Sequence, residues 1–333
     1  MQRGPVNQPS KLFEDDVLAR EIEAAAVQMA QGAGDILAAH FGKKISIEYK
    51  DKEERDPVTE VDKACQEYLV GEISGLFPDH SILGEEESEE SKKDTGATET
   101  PCGDFLWVLD PLDGTTNFLN GLPVYAVSVG VLHRGRLLAG ALFIPWPKPE
   151  GGFVLHCRQG GGCFAGEDPV EVYKSDEPVN NRLAGLPGHF SYLTKYGKGL
   201  RGKSGEPRTT GSIAYELAMT ACGVMQYAVF GAPRMWDMAA GALAVMEAGG
   251  TVMTRSPKEK GWHVMDSLVP TWQEKPPTLK ELRRWAAPLV VGNNQVAPLL
   301  AANLRPRFHP MAKVRRLTRR IHWPKKTKQK ESE

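Results

Sequence analysis

FLWVLDPLDGTTNF, residues 105–118, is the stretch whose reading decides the fold. Five apolar residues ahead of Asp110 predict a buried strand, and the Asp-Pro-Leu-Asp-Gly-Thr-Thr that follows predicts its end in a polar elbow. Asp110 and Asp113 stand three residues apart around Pro111, so a turn can aim both carboxylates and the Leu112 carbonyl at one point. Hard oxygen donors gathered in this way suit Mg²⁺. Gly114 permits close backbone approach. Thr115 and Thr116 offer hydroxyls and N–H groups where a helix can begin, a favourable seat for phosphate. The plainer alternative, an Asp-Gly turn capped by threonines, leaves the joint presence of carboxylates, glycine and hydroxyls unexplained.

Outward from the elbow the pattern is mixed helix and strand. Upstream, Val17, Leu18, Ile22, Ala25, Met29, Ile36 and Leu37 recur at helical spacing and predict a long amphipathic helix over 15–41. A strand over 45–49 and a helix over 60–77 follow, the latter opened by Thr59 and Asp62 as a capping box and stopped by Pro78. Residues 81–84 read as a short strand breaking into the acidic loop Glu85-Glu86-Glu87. Downstream, 124–132 and 137–144 predict a hairpin, with shorter strands at 152–157 and 170–173. The second part alternates: strands at 182–186, 225–230, 251–254 and 289–291, and helices at 211–222, near 279–287 and at 296–304. A further, small-residue helix runs from about Asp237 to a stop at Gly249. The fold class is α+β or α/β, one catalytic domain over 15–304 whose sub-parts, about 15–178 and 179–304, share a cleft.

Composition sets the bounds. The 333 residues, 41% hydrophobic and 25% charged, are ordinary for a globular protein with a substantial core. The five cysteines are scattered without a CxxC pair, which points to neither a disulfide framework nor a zinc site. No apolar run approaches a membrane span and the N-terminus lacks the apolar core of a signal peptide, so a cytoplasmic protein is expected. Residues 1–14 read as disordered. The net charge of −1 conceals an asymmetry: residues 305–333 hold eleven Lys and Arg against two Glu, a tail of +9 on a body of −10. That tail reads as a disordered solubilising segment, or as a basic amphipathic helix over 313–323 making weak contact with an anionic membrane or nucleic acid.

Four acidic sites are candidates to converge: Asp56 with Asp62 at the entry to the second helix, Glu85 with Glu86, the elbow, and Asp237. Each lies at a strand end or helix start, where a carboxylate can face a cleft. Singly, they read as helix caps or a solvated charge run.

The set DPVTEVD (56–62), GEE (84–86), DPLDGTTNF (110–118) and WDMAAG (236–241), in this order, resembles the inositol monophosphatase family of Mg²⁺-dependent, Li⁺-sensitive sugar and cyclitol phosphatases. The resemblance covers about residues 15–300. It implies a five-layer αβαβα sandwich of the inositol monophosphatase and fructose-1,6-bisphosphatase type, a homodimer, and two or three Mg²⁺ ions acting on a small phosphorylated metabolite. Carried over position by position, it implies Glu85, Asp110, the Leu112 carbonyl, Asp113 and Asp237 as metal ligands. Glu85, and Thr115 hydrogen-bonded to Asp62, would orient the attacking water. Gly114, Thr115 and Thr116 would bind phosphate, while Gly211, Ser212, Ile213 and Arg234 would line the substrate pocket. The chain departs from inositol-specific members at Val229, where they carry a glutamate that bonds ring hydroxyls, and Arg234 would favour a more anionic substrate. Alternatives are phosphatases acting on fructose 1,6-bisphosphate, histidinol phosphate or 3′-phosphoadenosine nucleotides. Outside enzymes, the alternative is an inactive scaffold that binds anionic partners through its tail.

Overall fold

Apolar residues three and four apart bury one face of the first helix, α1 (Asp16–His40), where Ala19, Ile22, Ala26, Met29, Ala33 and Leu37 are enclosed. Asp15 caps its start, accepting the Leu18 N–H at 3.0 Å. The computed structural model describes residues 13, 15–43, 47–49, 57–86, 100–146, 151–200, 202–255 and 261–307. The expected capping box opens α2 (Glu60–Leu76): Thr59 accepts from the Asp62 N–H while Asp62 accepts from that of Thr59.

Both helices cover one face of a sheet that has seven strands among the described residues. These are β1 (Ser81–Gly84), β2 (Phe105–Asp113), β3 (Ala126–His133), β4 (Arg136–Ile144), β5 (Phe153–Arg158), β6 (Gly162–Ala165) and β7 (Asp168–Pro169), in that order across the sheet. β1 runs parallel to β2, and the remaining pairs are antiparallel. The turn between β3 and β4 places Arg134 and Gly135 at φ 47° and 80°, as a two-residue type I′ hairpin demands.

A second sheet, six-stranded among the described residues, has the spatial order β9-β8-β10-β13-β11-β12. It comprises β8 (Leu183–Gly185), β9 (Glu206–Arg208), β10 (Met225–Phe230), β11 (Gly250–Thr254), β12 (His263–Val264) and β13 (Leu289–Asn293). Between the sheets lie α4 (Ile213–Ala221) and α5 (Met235–Glu247), after the short α3 (Thr115–Leu119) at the end of β2; α6 (Val296–Asn303) covers the far face. Three apolar cores result among the described residues: helices α1 and α2 on the first sheet, α4 and α5 between the sheets, and α6 on the second. This is the expected αβαβα sandwich, a mixed fold built on two sheets.

The small residues of α5 are what let it lie between the sheets. A Cβ added at Gly140 would stand 2.9 Å from the Ala240 Cα, and one at Gly130 would stand 2.9 Å from the Ala239 Cβ. Glycine against alanine brings the helix onto β3 and β4 at backbone distance, and that approach positions the N-terminus of α5 beside the elbow.

The structure departs from the sequence reading in four places. β2 runs through the elbow to Asp113 instead of ending at Asp110. No strand forms over 170–173; β7 ends at Pro169, and the Val172 N–H bonds to the Ala248 carbonyl instead. The helix expected over 279–287 is limited to Leu279–Leu282. At the termini, Phe13 packs edge-on to Phe105 and His133 and donates its N–H to Gln159, while Leu304–Pro306 pairs with Thr194–Tyr196. Each terminal contact buries or pairs groups that local composition does not reveal. Asp56, Glu87, residues 1–12 and the basic segment from 308 onward lie outside the described residues. No helix among those described is long and apolar enough to cross a membrane.

Candidate active site

A β-bulge builds the centre of the site. Along a regular strand, residues three apart face opposite sides. Here Asp110 pairs with Ser128 and Asp113 with Ala126, so three steps on β2 span two on β3. The extra residue brings both carboxylates to one side, where the charge of Asp113 acts on Asp110. Proline suits this position because a bulge leaves one N–H without a ladder partner.

Asp110 is 1% exposed, and its Oδ1 accepts the Leu112 N–H at 3.0 Å. Burial raises its pKa well above the ordinary carboxylate value, and repulsion from Glu85, Asp113 and Asp237, with a side-chain hydrogen bond to Glu85, raises it further. Asp113 is raised in the same way by burial and then by Asp237; the Ala214 N–H and the Ser212 hydroxyl, which bond to its Oδ2, oppose the shift. Asp237 lies in the first turn of α5, its Oδ2 accepting the Arg234 N–H at 2.7 Å. Burial pushes it up to about 7 against that hydrogen bond, with Glu85 adding repulsion. Glu85 follows β1, its N–H bonded to the Leu109 carbonyl at 2.9 Å. Four carboxylates from three distant parts of the chain therefore form one electrostatic unit.

Among the described residues, no three His, Cys, Asp or Glu side chains are drawn close enough to grip an ion as they stand. Their oxygens bond protein donors instead: the Leu112 N–H on Asp110, the Ser212 hydroxyl and Ala214 N–H on Asp113, and the Arg234 N–H on Asp237. The donor set nevertheless fits Mg²⁺: it consists of hard carboxylate oxygens and the Leu112 carbonyl, and a cation there would relieve the charge that raises all three aspartates.

Beside the carboxylates, Thr115 Oγ1 lies 3.3 Å from Asp62 Oδ1 and 3.1 Å from the Leu112 carbonyl oxygen. Asp62, 2% exposed, is held in turn by the Thr59 N–H at 2.9 Å and by its hydroxyl. Gly114 has φ 98°, and a Cβ there would stand 3.0 Å from the Val124 carbonyl oxygen, so both conformation and space call for glycine. Thr115 and Thr116 open α3, whose first N–H groups have no intrahelical acceptor.

Residues 211–213 are brought to the elbow by Asn117, whose amide donates to the Val124 and Thr210 carbonyls at 2.6 and 2.7 Å. Gly211 is exposed and Ile213 half-buried. Ser212 faces Asp113, not open space: its hydroxyl donates to that carboxylate and caps α4 by accepting the Tyr215 N–H. Arg234 is exposed ahead of α5, and Val229 is buried in the core under α6.

A profile of the inositol monophosphatase family matches residues 18–287. This chain belongs to that family. It is 33% identical over 237 residues to the Nus factor SuhB of Pseudomonas aeruginosa, covering 68% of this chain and 83% of the relative. It is also 33% identical over 249 residues to inositol monophosphatase 3 of Solanum lycopersicum, covering 70% and 86%. Among solved structures, the extragenic suppressor protein suhB of Bartonella henselae superposes with a TM-score of 0.63 at 25% identity, over 85% of this chain and 97% of that one. Membership makes the chain a phosphoric monoester hydrolase of the inositol monophosphatase type.

Several residues that shape this family site escaped the sequence reading. Asn117 lay inside the quoted motif, but its cross-link to Thr210 spans 93 positions. Glu216, 5% exposed, accepts from the Thr210 N–H and hydroxyl at 2.9 and 2.8 Å and looks like an ordinary helix residue in sequence. Arg283 donates to the Glu85 carbonyl across 198 positions, a distance no local signal can bridge.

Proposed function

We propose that the protein is a Mg²⁺-dependent phosphatase that hydrolyses a small sugar or cyclitol phosphate. The observation that carries this reading is the electrostatic unit of Glu85, Asp110, Asp113 and Asp237, where burial and mutual repulsion raise the three aspartates. With the Leu112 carbonyl these groups would hold two or three Mg²⁺ ions. Such ions lower the pKa of water and stabilise the leaving oxygen of an in-line displacement.

The chain's own residues supply orientation. Thr115 Oγ1 can donate its proton to Asp62 Oδ1 or to the Leu112 carbonyl, leaving a lone pair to accept a hydrogen bond from the attacking water. Asp62 keeps that hydroxyl turned, and Thr59 keeps Asp62 turned. Glu85 would share in orienting the water. The N–H groups of Gly114, Thr115 and Thr116 would bind the phosphate, consistent with phosphoryl transfer being mainly positioning and charge neutralisation. Ser212 acts through Asp113, so the substrate would meet Gly211, Ile213 and the exposed Arg234.

Val229 is apolar and lies in the core under α6, so it supplies no acceptor for a ring hydroxyl at the site. A bisphosphate is the second reading, supported by the exposure of Arg234 and by a 30% identical relative named fructose-1,6-bisphosphatase/inositol-1-monophosphatase in Thermotoga maritima. In this proposal residues 15–304 are the catalytic domain, acting as a homodimer inhibited by Li⁺, and 305–333 is a basic tail.

Phosphate release from sugar, inositol, histidinol and nucleotide phosphates, with and without Mg²⁺ and Li⁺, tests the proposal. Mg²⁺-dependent turnover of a sugar or cyclitol phosphate is expected; release from no substrate would leave the inactive scaffold.

A further inference from the structure

Residues 277–286 cross the rim of the site as a clasp. The Cys102 N–H donates to the Pro277 carbonyl at 2.9 Å, and Thr278 bridges Pro101, anchoring the segment to the first half. At its other end Ala286 bridges Arg234, just ahead of α5, and Trp285 Nε1 donates to the Leu268 carbonyl at 3.1 Å. Leu282 is 3% exposed, which seats the clasp in the core between the sheets. Arg283, half-buried, is the residue the clasp delivers. Its Nη1 donates to the Glu85 carbonyl at 3.3 Å, and its guanidinium carbon lies 6.0 Å from the centroid of the Trp236 ring.

These two contacts fall on different halves of the site. Glu85 follows the first strand of the first sheet, whereas Trp236 immediately precedes Asp237 on the helix between the sheets. A planar guanidinium can donate along its edge while its face meets an indole, which a lysine ammonium cannot do at once. We propose that Arg283 is a positioning residue: by holding the Glu85 backbone against the Trp236–Asp237 corner, it sets the spacing between carboxylates that would share cations. The inference rests on the Mg²⁺-dependent reading above and adds a residue outside the acidic motifs.

The test compares full-length wild type, Arg283→Met and Arg283→Lys, using calorimetric Mg²⁺ titration without substrate and steady-state kinetics across Mg²⁺ concentrations. Loss of a partner that orients a metal ligand typically weakens metal binding by about 10–100-fold. Arg283→Met should therefore bind Mg²⁺ at least about tenfold more weakly, with kcat recovering as Mg²⁺ is raised and KM at saturating Mg²⁺ unchanged. Arg283→Lys should fall between it and wild type, and this variant carries the test if the methionine variant does not fold. Unchanged Mg²⁺ affinity in a folded Arg283→Met overturns the proposal. So does a raised KM at unchanged Mg²⁺ affinity, which would make Arg283 a substrate contact. Wild-type protein that neither binds Mg²⁺ nor releases phosphate fails the parent reading, and this one with it; wild-type binding left intact in the variants fails this one alone.

Discussion

Ser212 Oγ stands 2.9 Å from Asp113 Oδ2 across 99 positions of sequence, while the same hydroxyl caps α4 through the Tyr215 N–H. One side chain thus fastens a carboxylate of the first sheet to a helix of the middle layer. Replacing Ser212 by alanine removes both bonds. The cap alone is worth about 1 kcal/mol, so Ser212→Ala should lower the denaturant midpoint accordingly. With Asp113 held by the Ala214 N–H alone, Mg²⁺ half-saturation in a phosphatase assay should also rise. An assay response identical to wild type would mean that Ser212 is only a cap.

Asp110→Asn separates stability from activity. Asn keeps the shape and can still accept the Leu112 N–H, but it carries no charge for Glu85, Asp113 and Asp237 to repel. Mg²⁺-dependent phosphate release should fall to background. In chelator the variant should melt higher than wild type, by on the order of 1 kcal/mol or roughly 2–4 °C. Retained turnover in a folded variant would remove Asp110 from the metal set.

His156 gives a pH dependence far from the carboxylates. Its Nδ1 faces Glu23 Oε1 at 2.7 Å and its Nε2 faces the Gly166 carbonyl at 2.9 Å. Both partners are acceptors, so the two hydrogen bonds form together only when both ring nitrogens carry protons, and the Glu23 hydrogen bond raises the His156 pKa against the opposing effect of burial. A raised histidine adds stability that is complete below the unfolded pKa of about 6.5 and is lost as pH rises through the folded value. His156→Gln should therefore cost more melting temperature near about pH 5.5 than near about pH 8.5. An equal cost at both would show the imidazole to be neutral in the fold.

Gly140→Ala tests the close approach of α5. The added methyl would stand 2.9 Å from the Ala240 Cα, which is backbone and cannot swing aside. Overpacking of this kind costs roughly 1–3 kcal/mol. Because the same helix carries Asp237, the variant should also lose Mg²⁺-dependent rate, whereas Gly121→Ala, with nothing within 4 Å, should leave that rate unaltered despite strain at φ 72°. Urea titration paired with the phosphatase assay reads both effects.

Much of this was legible in residue order. Periodicity marked α1 and α2, Thr59 and Asp62 marked a capping box, and the quoted stretch marked the paired aspartates, because each of these depends on neighbours within a turn or a strand. The reading failed where the deciding contact was distant. Asp110-Pro-Leu-Asp113 read as the end of a strand, since a proline and two acids break local pairing. Only the neighbouring β3 shows that pairing resumes at Asp113 after one extra residue. The Ser212–Asp113 bond was likewise out of reach of any local signal, because its partners lie 99 positions apart.

The sequence by itself determined which acids, glycine and threonines occur together, and hence the family to which the chain belongs. Tertiary structure decided how those groups relate. A bulge put Asp110 and Asp113 on one side, glycine-to-alanine packing brought Asp237 to them, and Ser212 and Arg283 tied the halves together. The physical reason is range: propensity and capping act over a few residues, whereas repulsion among buried carboxylates depends on distances that only the packed layers set.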